Sequence, residues 1–231
     1  MPQRYFLEHI NQMITGSDAH HIKKVMRMKY GDDIIVCSEG RCFHAVLTAL
    51  EPEVTYDIKH ELQRPNDLNI TLIQGIPKHP KSEIVAKYAT IYGASRIIFT
   101  EMNRSIAKIE NNPNKLTRLH TIAKEAAELA HRFDVPHIEM VSKIEKIDLE
   151  AFDIVILADE NEKSMTLEKA VPMVNTHQKI ALIIGPEGGI SEVERHRLIN
   201  QNVISVTLGK NILPTEIASL YVLSYLSLKN S

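Results

Sequence analysis

IALIIGPEGGISEVE, residues 180–194, joins an apolar β-branched run to a glycine-rich loop and the start of a helix. Glycines let the main chain approach a ligand closely. Ser191 followed three residues later by Glu194 is a capping box, which predicts a helix whose first free amides face the loop. The glycine spacing fits neither a dinucleotide GxGxxG motif nor a phosphate-binding loop. The stretch therefore predicts a ligand loop or, alternatively, a tight strand-to-helix turn.

A second stretch of the same layout, VTLGKNILPTEIASLYVLSYL, occupies residues 206–226. Its strand ends at Gly209, and Thr215 is the predicted cap of the helix that follows. Ligands of open α/β sheets lie beyond the carboxyl ends of strands, so both loops could serve one small molecule. Glu216 falls in the first helical turn, where the helix dipole favours a carboxylate. The body of the helix is expected to pack in the core through Ile217, Leu220, Tyr221 and Leu223.

The rest of the chain from Asn69 onward alternates short β-branched runs with helical segments. The runs are NITLIQG, SRIIF, HIEMV, DIVILA, KIALIIG and VISVTLG. Helices are predicted over PKSEIVAKYATIYG, ending at Gly93, and between Leu116 and Phe133. Strands that alternate with helices predict an α/β domain with a mainly parallel sheet.

Residues 1–68 follow a different pattern, in which apolar residues tend to alternate with polar ones between turn-like clusters. This pattern predicts a small β-barrel that carries one helix around Ser17–Met28. The polar stretch ELQRPND, residues 61–67, is typical of a linker. We therefore expect two domains, 1–68 and 69–231.

Composition and charge restrict the classes of protein that this chain can represent. Its 231 residues are 44% hydrophobic and 24% charged, the balance of a folded protein, and a net charge of -2 excludes a uniformly basic nucleic-acid coat. Basic residues outnumber acidic ones between Arg96 and Arg132, which predicts either a phosphate-contacting surface or a solvated helix face. A smaller basic cluster lies between Arg4 and Arg27.

The two cysteines, Cys37 and Cys42, are too few for a disulfide framework or a tetrahedral cysteine zinc site. We expect them to be reduced, packed on adjacent strands of a hairpin, in a cytoplasmic protein. Arg4 and Glu8 stand where a signal peptide needs apolar residues. The longest uncharged apolar stretch is too short to cross a bilayer, so no membrane association is expected. No GxSxG elbow is present, which argues against a hydrolase.

Seven motifs, in order along nearly the whole chain, resemble the ribosomal RNA small subunit methyltransferase E family of SPOUT-class knotted methyltransferases. They are QRYFL (3–7), VMRMKYGD (25–32), LIQGIPKHPKSE (72–83), GASRIIF (93–99), IAKEAAE (122–128), IIGPEGG (183–189) and LGKNILPTE (208–216). The resemblance implies a PUA-like RNA-binding barrel in 1–68, a methyltransferase domain with a trefoil knot in 69–231, and a homodimer. The implied activity is methyl transfer from S-adenosyl-L-methionine to N3 of a uridine in 16S rRNA, without a metal.

The resemblance also implies roles for individual residues. The predicted cofactor-binding residues are Leu157, Ala158, Gly185, Glu187, Gly188, Leu208, Gly209, Ile212, Leu213 and Thr215. The predicted catalytic residues are Glu216 and Arg132. The predicted RNA contacts, taken from the basic patches, are Arg4, Arg27, Arg104, Arg118 and Lys124.

Three departures from the family's pattern fall on the predicted substrate side. The family commonly reads L-R-T-E-T-A where this chain has LPTEIA (213–218), so Pro214 stands where an arginine is expected. Leu129 and Ala130 replace the glutamine and serine of E-A-x-E-Q-S, and Leu119 replaces a tryptophan. Proline offers neither a charge nor a main-chain N–H. These departures motivate an alternative hypothesis, an RNA-binding or ribosome-assembly protein of the same fold with altered or lost methyl transfer. A nucleotide-dependent metabolic enzyme, the third hypothesis, would act without RNA.

Overall fold

The computed structural model describes residues 1–109, 113–201 and 203–229. The chain divides into two compact units. The first unit comprises Met1–Pro65 and Ala127–Val135, and the second comprises Asn66–Ala126 and Pro136–Ser231. No described helix is long and apolar enough to span a membrane.

The first unit is a curled five-stranded sheet with one short helix. Its elements are β1 (Gln3–Phe6), β2 (Met13–Ile14), α1 (Gly16–His20), β3 (Asp33–Ser38), β4 (Arg41–Ala49) and β5 (Val54–Glu61). The strand order is β1-β3-β4-β5-β2, with β1 and β3 parallel and the other neighbours antiparallel. A π-helical turn, His21–Val25, follows α1 directly. The predicted helix therefore ends before Met28, because Arg27 adopts a left-handed conformation with φ of 52°.

Cys37 and Cys42 lie on the adjacent hairpin strands β3 and β4, as the sequence predicted, and they face each other directly. Their sulfur atoms are bonded to each other, with an S–S distance of 2.03 Å. The expectation of reduced thiols was therefore wrong. The sequence showed the hairpin but not that its register sets the two residues directly across from each other. Both cysteines are buried in a small cluster that includes Phe133.

The second unit contains one six-stranded sheet. Its elements are β6 (Asn69–Gly75), α2 (Lys81–Ile91), β7 (Ala94–Thr100), α3 (Pro113–Leu129, whose last residues belong to the first unit), β8 (His137–Val141), β9 (Ile154–Ala158), α4 (Leu167–Ala170), β10 (Lys179–Ile184), α5 (Glu192–Ile199), β11 (Ile204–Val206) and α6 (Thr215–Lys229). The strand order is β11-β9-β10-β6-β7-β8, and all neighbours are parallel. The predicted parallel α/β sheet is confirmed.

Both faces of this sheet are buried, which explains why its strands are continuously apolar. Ile183 of β10 is in register with Ile73 of β6 and Leu157 of β9, and these three form one cluster with Leu198 of α5. Leu182, the preceding residue of β10, points to the opposite face and is also fully buried. The parallel register brings the carboxyl ends of β6, β9, β10 and β11 to one edge of the sheet. The trefoil knot implied by the resemblance stays a prediction.

Helix α6 is only partly the core helix that the sequence predicted. Val222, Leu223 and Leu226 are fully buried, but Ile217 and Tyr221 are 43% and 46% exposed. The helix is apolar around most of its circumference, so the sequence pattern could not separate its buried face from its exposed one.

Candidate functional site

Loops at the carboxyl edge of the parallel sheet enclose a cavity of about 810 Å³ in the second unit. The lining comes mainly from the loops that follow β9, β10 and β11, and from the start of α6. This volume lies in the usual range of small-molecule sites, ~300–1,000 Å³. The two loops that the sequence marked as ligand loops, after β10 and β11, therefore meet at one cavity.

Most of the predicted cofactor-binding residues line this cavity. The nine that do so are Ala158, Gly185, Glu187, Gly188, Leu208, Gly209, Ile212, Leu213 and Thr215. Leu157 instead is fully buried in the core cluster beneath the sheet edge. Successive strand residues face opposite sides, so Leu157 and Ala158 could not both face one place.

The predicted capping box at the start of α5 is present and has a further role. Ser191 Oγ accepts a hydrogen bond from the Glu194 amide, and the Glu194 carboxylate accepts one from the Ser191 amide. The same carboxylate accepts the amide of Asn103 at 2.7 Å, and Glu194 is only 3% exposed. Glu194 thus ties the loop after β7 to the loop after β10.

Position 188 requires a glycine because the loop after β7 and the loop after β10 approach each other closely there. A Cβ atom at Gly188 would lie 2.8 Å from the carbonyl oxygen of Arg104 and 2.9 Å from the Arg104 Cβ atom. The hydrogen bond from Asn103 to Glu194 holds the Arg104 segment in place. The glycine therefore shapes the cavity wall through packing between loops, a contact that its spacing in the sequence did not reveal.

An ion pair that sequence reasoning missed supports the other side of the cavity. Asp159, which follows β9, accepts two hydrogen bonds from Arg195 of α5, at 2.6 and 3.0 Å, and one from the Asn161 amide. Burial raises the pKa of Asp159, but the hydrogen bonds from Arg195 and Asn161 outweigh it and hold this pKa below its ordinary value. The only sequence signal was an acidic residue after a predicted strand.

Glu162 orders the loop that contains Asp159. One oxygen of its carboxylate accepts hydrogen bonds from the amides of Met165, Ser164 and Lys163 and from the Ser164 hydroxyl. These bonds, led by the one from Met165, lower the pKa of Glu162 to about 2. The loop is consequently a defined turn beside the cavity.

Thr215 connects α6 to the loop after β10 and is not the cap that the sequence predicted. The carbonyl oxygen of Pro214 accepts the first helical hydrogen bonds, from the amides of Ile217 and Ala218. Thr215 Oγ1 donates to the carbonyl oxygen of Gly185 and accepts a bond of 2.7 Å from the buried amide of Gln74. The Thr215 hydroxyl therefore bonds to the distant carbonyl oxygen of Gly185 instead of capping α6.

Glu216, a predicted catalytic residue, is absent from the lining of the cavity and pairs with a lysine that does line it. Lys81 Nζ, at the start of α2, lies 3.0 Å from Glu216 Oε2 and 3.6 Å from Glu187 Oε1. The hydrogen bond to Glu216 raises the pKa of Lys81 above its ordinary value. Sequence reasoning missed Lys81, although it belongs to the LIQGIPKHPKSE motif. Pro214 lines the same cavity without a charge.

Three predicted residues lie in the first unit. Arg4 is 4% exposed, and its guanidinium donates to the carbonyl oxygens of His131 and Arg132. Arg132 pairs with Asp134 at 2.8 Å. Arg27 is exposed. Arg4 thus has a structural role, while RNA binding by Arg4 and Arg27 and catalysis by Arg132 stay predictions.

The remaining predicted RNA contacts lie in the second unit. Arg104 is exposed beside Gly188, and Arg118 pairs with Glu83 at 2.7 Å. Lys124 is half-buried. Within the described part of the chain, no cluster of three or more histidine, cysteine or acidic side chains is arranged to hold a metal ion.

Known proteins of one family match this chain along nearly its full length. A family model described as an RNA methyltransferase domain matches residues 64–227, and one described as an RNA methyltransferase PUA domain matches residues 14–53. The ribosomal RNA small subunit methyltransferase E of Bacillus subtilis is 33% identical over 97% of this chain and 96% of its own length. The protein of that name from Rickettsia conorii is 25% identical over 95% of this chain and 90% of its own.

A solved structure with the same architecture is a ribosomal RNA small subunit methyltransferase E from Neisseria gonorrhoeae bound to S-adenosyl methionine. It is 25% identical, covers 99% of this chain and 98% of its own chain, and superposes with a TM-score of 0.83. Sequence motifs, parallel fold and full-length relatives agree, and the chain belongs to the ribosomal RNA small subunit methyltransferase E family.

Proposed function

We propose that the protein transfers a methyl group from S-adenosyl-L-methionine to N3 of a uridine in 16S rRNA of the small ribosomal subunit. The observation that carries the proposal is the cavity of about 810 Å³ at the carboxyl edge of the sheet, lined by nine predicted cofactor residues. Family membership supports the RNA substrate.

The residues of the cavity fit this cofactor. Main-chain groups of the glycine loop lie along one wall, where they can read an adenine base, and Leu208, Ile212 and Leu213 supply apolar surface to flank it. Bound S-adenosylmethionine supplies a methyl group on a positively charged sulfur. The protein's part is to hold a uracil N3 in line with this group and to stabilise the uracil as its proton leaves.

We assign RNA binding to the domain of residues 1–68 and methyl transfer to 69–231. The match of residues 14–53 to a PUA domain model and the exposed Arg27 support the first assignment. Since 16S rRNA is assembled into subunits in the cytoplasm, we place the protein there. The cysteines no longer support this location, because they are bonded to each other.

Methyl mapping of 16S rRNA from a strain that lacks the gene tests the proposal. Loss of one uridine methylation, restored by the wild-type gene and by purified protein with S-adenosylmethionine, is the expected result. An unchanged methylation pattern would instead favour the alternative, an RNA-binding or assembly protein of this fold. Pro214, which leaves the cavity without the family's arginine, is the observation that motivates this alternative.

We further propose that the protein is a homodimer that pairs through α6. Ile217, Tyr221, Tyr225 and Leu228 recur at helical spacing, and all four are exposed, which makes an apolar stripe along α6. Stripes of this kind on soluble proteins commonly mark association surfaces.

The dimer proposal predicts that Tyr221→Glu shifts the protein to a monomer. A carboxylate in the centre of the stripe would be buried without a partner on association, which costs several kcal/mol, or about 10²-fold or more in the dimer dissociation constant. Sedimentation equilibrium measures this shift. Tyr30→Glu, the same substitution at an exposed tyrosine of the first unit, should leave the mass unchanged. A wild-type protein that is monomeric at high concentration contradicts the proposal.

A further inference from the structure

Lys81 differs from the other basic residues that line the cavity. Lys163 and Lys210 also belong to the lining, but both are exposed. The Lys81 side chain is 31% exposed and lies between the carboxylates of Glu216 and Glu187, whose side chains are 14% and 20% exposed. A cation that is partly removed from water acts more strongly on a neighbouring charge than a fully solvated one.

The surroundings of Lys81 add to its positive potential. Lys81 is the first residue of α2, which has 11 residues, and its partner Glu216 lies in the first turn of α6, which has 15. The amino-terminal ends of helices carry a partial positive charge. Two such ends therefore reach the edge of the cavity where Lys81 lies.

The charge balance of this cluster indicates what kind of group it accepts. One ammonium and two carboxylates give the cluster of Lys81, Glu187 and Glu216 a net negative formal charge, which the two helix ends offset only in part, so a permanent anion such as a carboxylate or a phosphate is disfavoured. A neutral carbonyl oxygen that gains negative charge only during the reaction suits it better. The two carbonyl oxygens that flank N3 of uracil are groups of this kind.

We infer that Lys81 is a catalytic residue of the proposed methyl transfer, and that its ammonium donates a hydrogen bond to a uracil carbonyl oxygen beside N3. When the N3–H bond breaks, the proton passes to water and the electron pair stays on the uracil, where its charge spreads onto that oxygen. Lys81 stabilises this anion, while Glu216 and Glu187 act as positioning residues that hold the ammonium in place. The inference rests on the proposed function and shifts the predicted catalytic role of Glu216 to Lys81.

The raised pKa of Lys81 agrees with this role. An ammonium that remains protonated through neutral pH cannot serve as the base, but it can hold negative charge throughout the reaction.

Kinetics of Lys81→Met, with Lys81→Arg and Glu216→Gln alongside, test the inference. Lys81→Met should lower kcat at saturating cofactor and RNA by about 10²-fold, the usual loss when one preorganised donor is removed. In Lys81→Met, kcat should also begin to increase only at a higher pH than in the wild type, because the uracil then loses its proton less readily. Lys81→Arg should restore part of kcat, and Glu216→Gln should lower kcat less than Lys81→Met does.

The matched control is Lys87→Met on the exposed face of α2, which should keep the wild-type kcat. Calorimetry distinguishes this catalytic role from a role in holding the cofactor. If Lys81 acts only on the uracil, Lys81→Met should bind S-adenosylmethionine within about twofold of wild type. Wild-type kcat in Lys81→Met, or much weaker cofactor binding with wild-type kcat at saturation, would overturn the inference and leave the proposed function intact. A wild-type protein that methylates no RNA would overturn the proposed function itself.

Discussion

We expect Gly188→Val to bind S-adenosylmethionine about 10²-fold more weakly than the wild-type protein, a loss that calorimetry would measure. The new side chain would start 2.8 Å from the carbonyl oxygen of Arg104, which is main chain and cannot rotate away. The Arg104 segment is itself held by the bond from Asn103 to Glu194, so the loop after β10 must move instead. A 10²-fold weaker affinity corresponds to about 2.8 kcal/mol, the loss of two or three hydrogen bonds between the displaced loop and the cofactor.

Gly93→Asn is the matched control for Gly188→Val. Gly93 also lies in the second unit, its φ is 95°, and a Cβ atom there would meet nothing within 4 Å. Asparagine tolerates this conformation at the end of a helix, so cofactor affinity should stay at the wild-type value. Wild-type affinity in Gly188→Val, with the thermal unfolding of both variants unchanged, would show that contact with Arg104 does not shape the cavity.

We expect Asp159→Asn to lower the free energy of unfolding by about 3 kcal/mol at pH 7, which urea denaturation would measure. The substitution leaves Arg195, whose side chain is 14% exposed, without its charged partner, and breaking one side of a buried ion pair typically costs ~3–5 kcal/mol. Asp67→Asn, at an exposed aspartate of the second unit, should change stability by less than about 0.5 kcal/mol.

The loss of stability caused by Asp159→Asn should become smaller as the pH falls into the acid range. The pKa of Asp159 is lower in the folded protein than in the unfolded chain, so its ionised form stabilises the fold above the unfolded pKa. This stability is lost as pH falls through the lowered folded pKa. The difference between wild type and variant should therefore be constant near neutral pH and shrink in acid below pH ~4. A difference that grows in acid would contradict the assigned role of the ion pair.

The sequence predicted those features that depend on neighbouring residues or on whole-chain motifs. Continuous β-branched runs identified the parallel strands, because a strand buried on both faces has no polar side. The capping box of Ser191 and Glu194 was also predicted, since both partners lie within one helical turn. The ordered motifs identified the family, and nine of the ten cofactor residues predicted from them line the cavity.

The features that the sequence could not predict depend on contacts between distant segments. Thr215 donates to Gly185 and accepts from Gln74 rather than bonding within its own helix, and nothing local in the sequence distinguishes these partners. Asp159 and Arg195 are 36 residues apart and meet only because β9 and β10 are neighbours. Lys81 reaches the cavity because α2 packs beside α6, a pairing that no periodicity in either helix reveals.

The grouping of residues 127–135 with the first unit has a consequence for how the protein is made. Phe133 packs against the bonded pair Cys37 and Cys42, and Asp134 pairs with Arg64. A ribosome must therefore add about 70 residues beyond Pro65, including β6, β7 and α3, before the contacts of the first unit are complete. Residues 1–65 are synthesised before the second unit, but the first unit can complete its folding only after residues 127–135 have been added, so translation order and folding order differ in this chain.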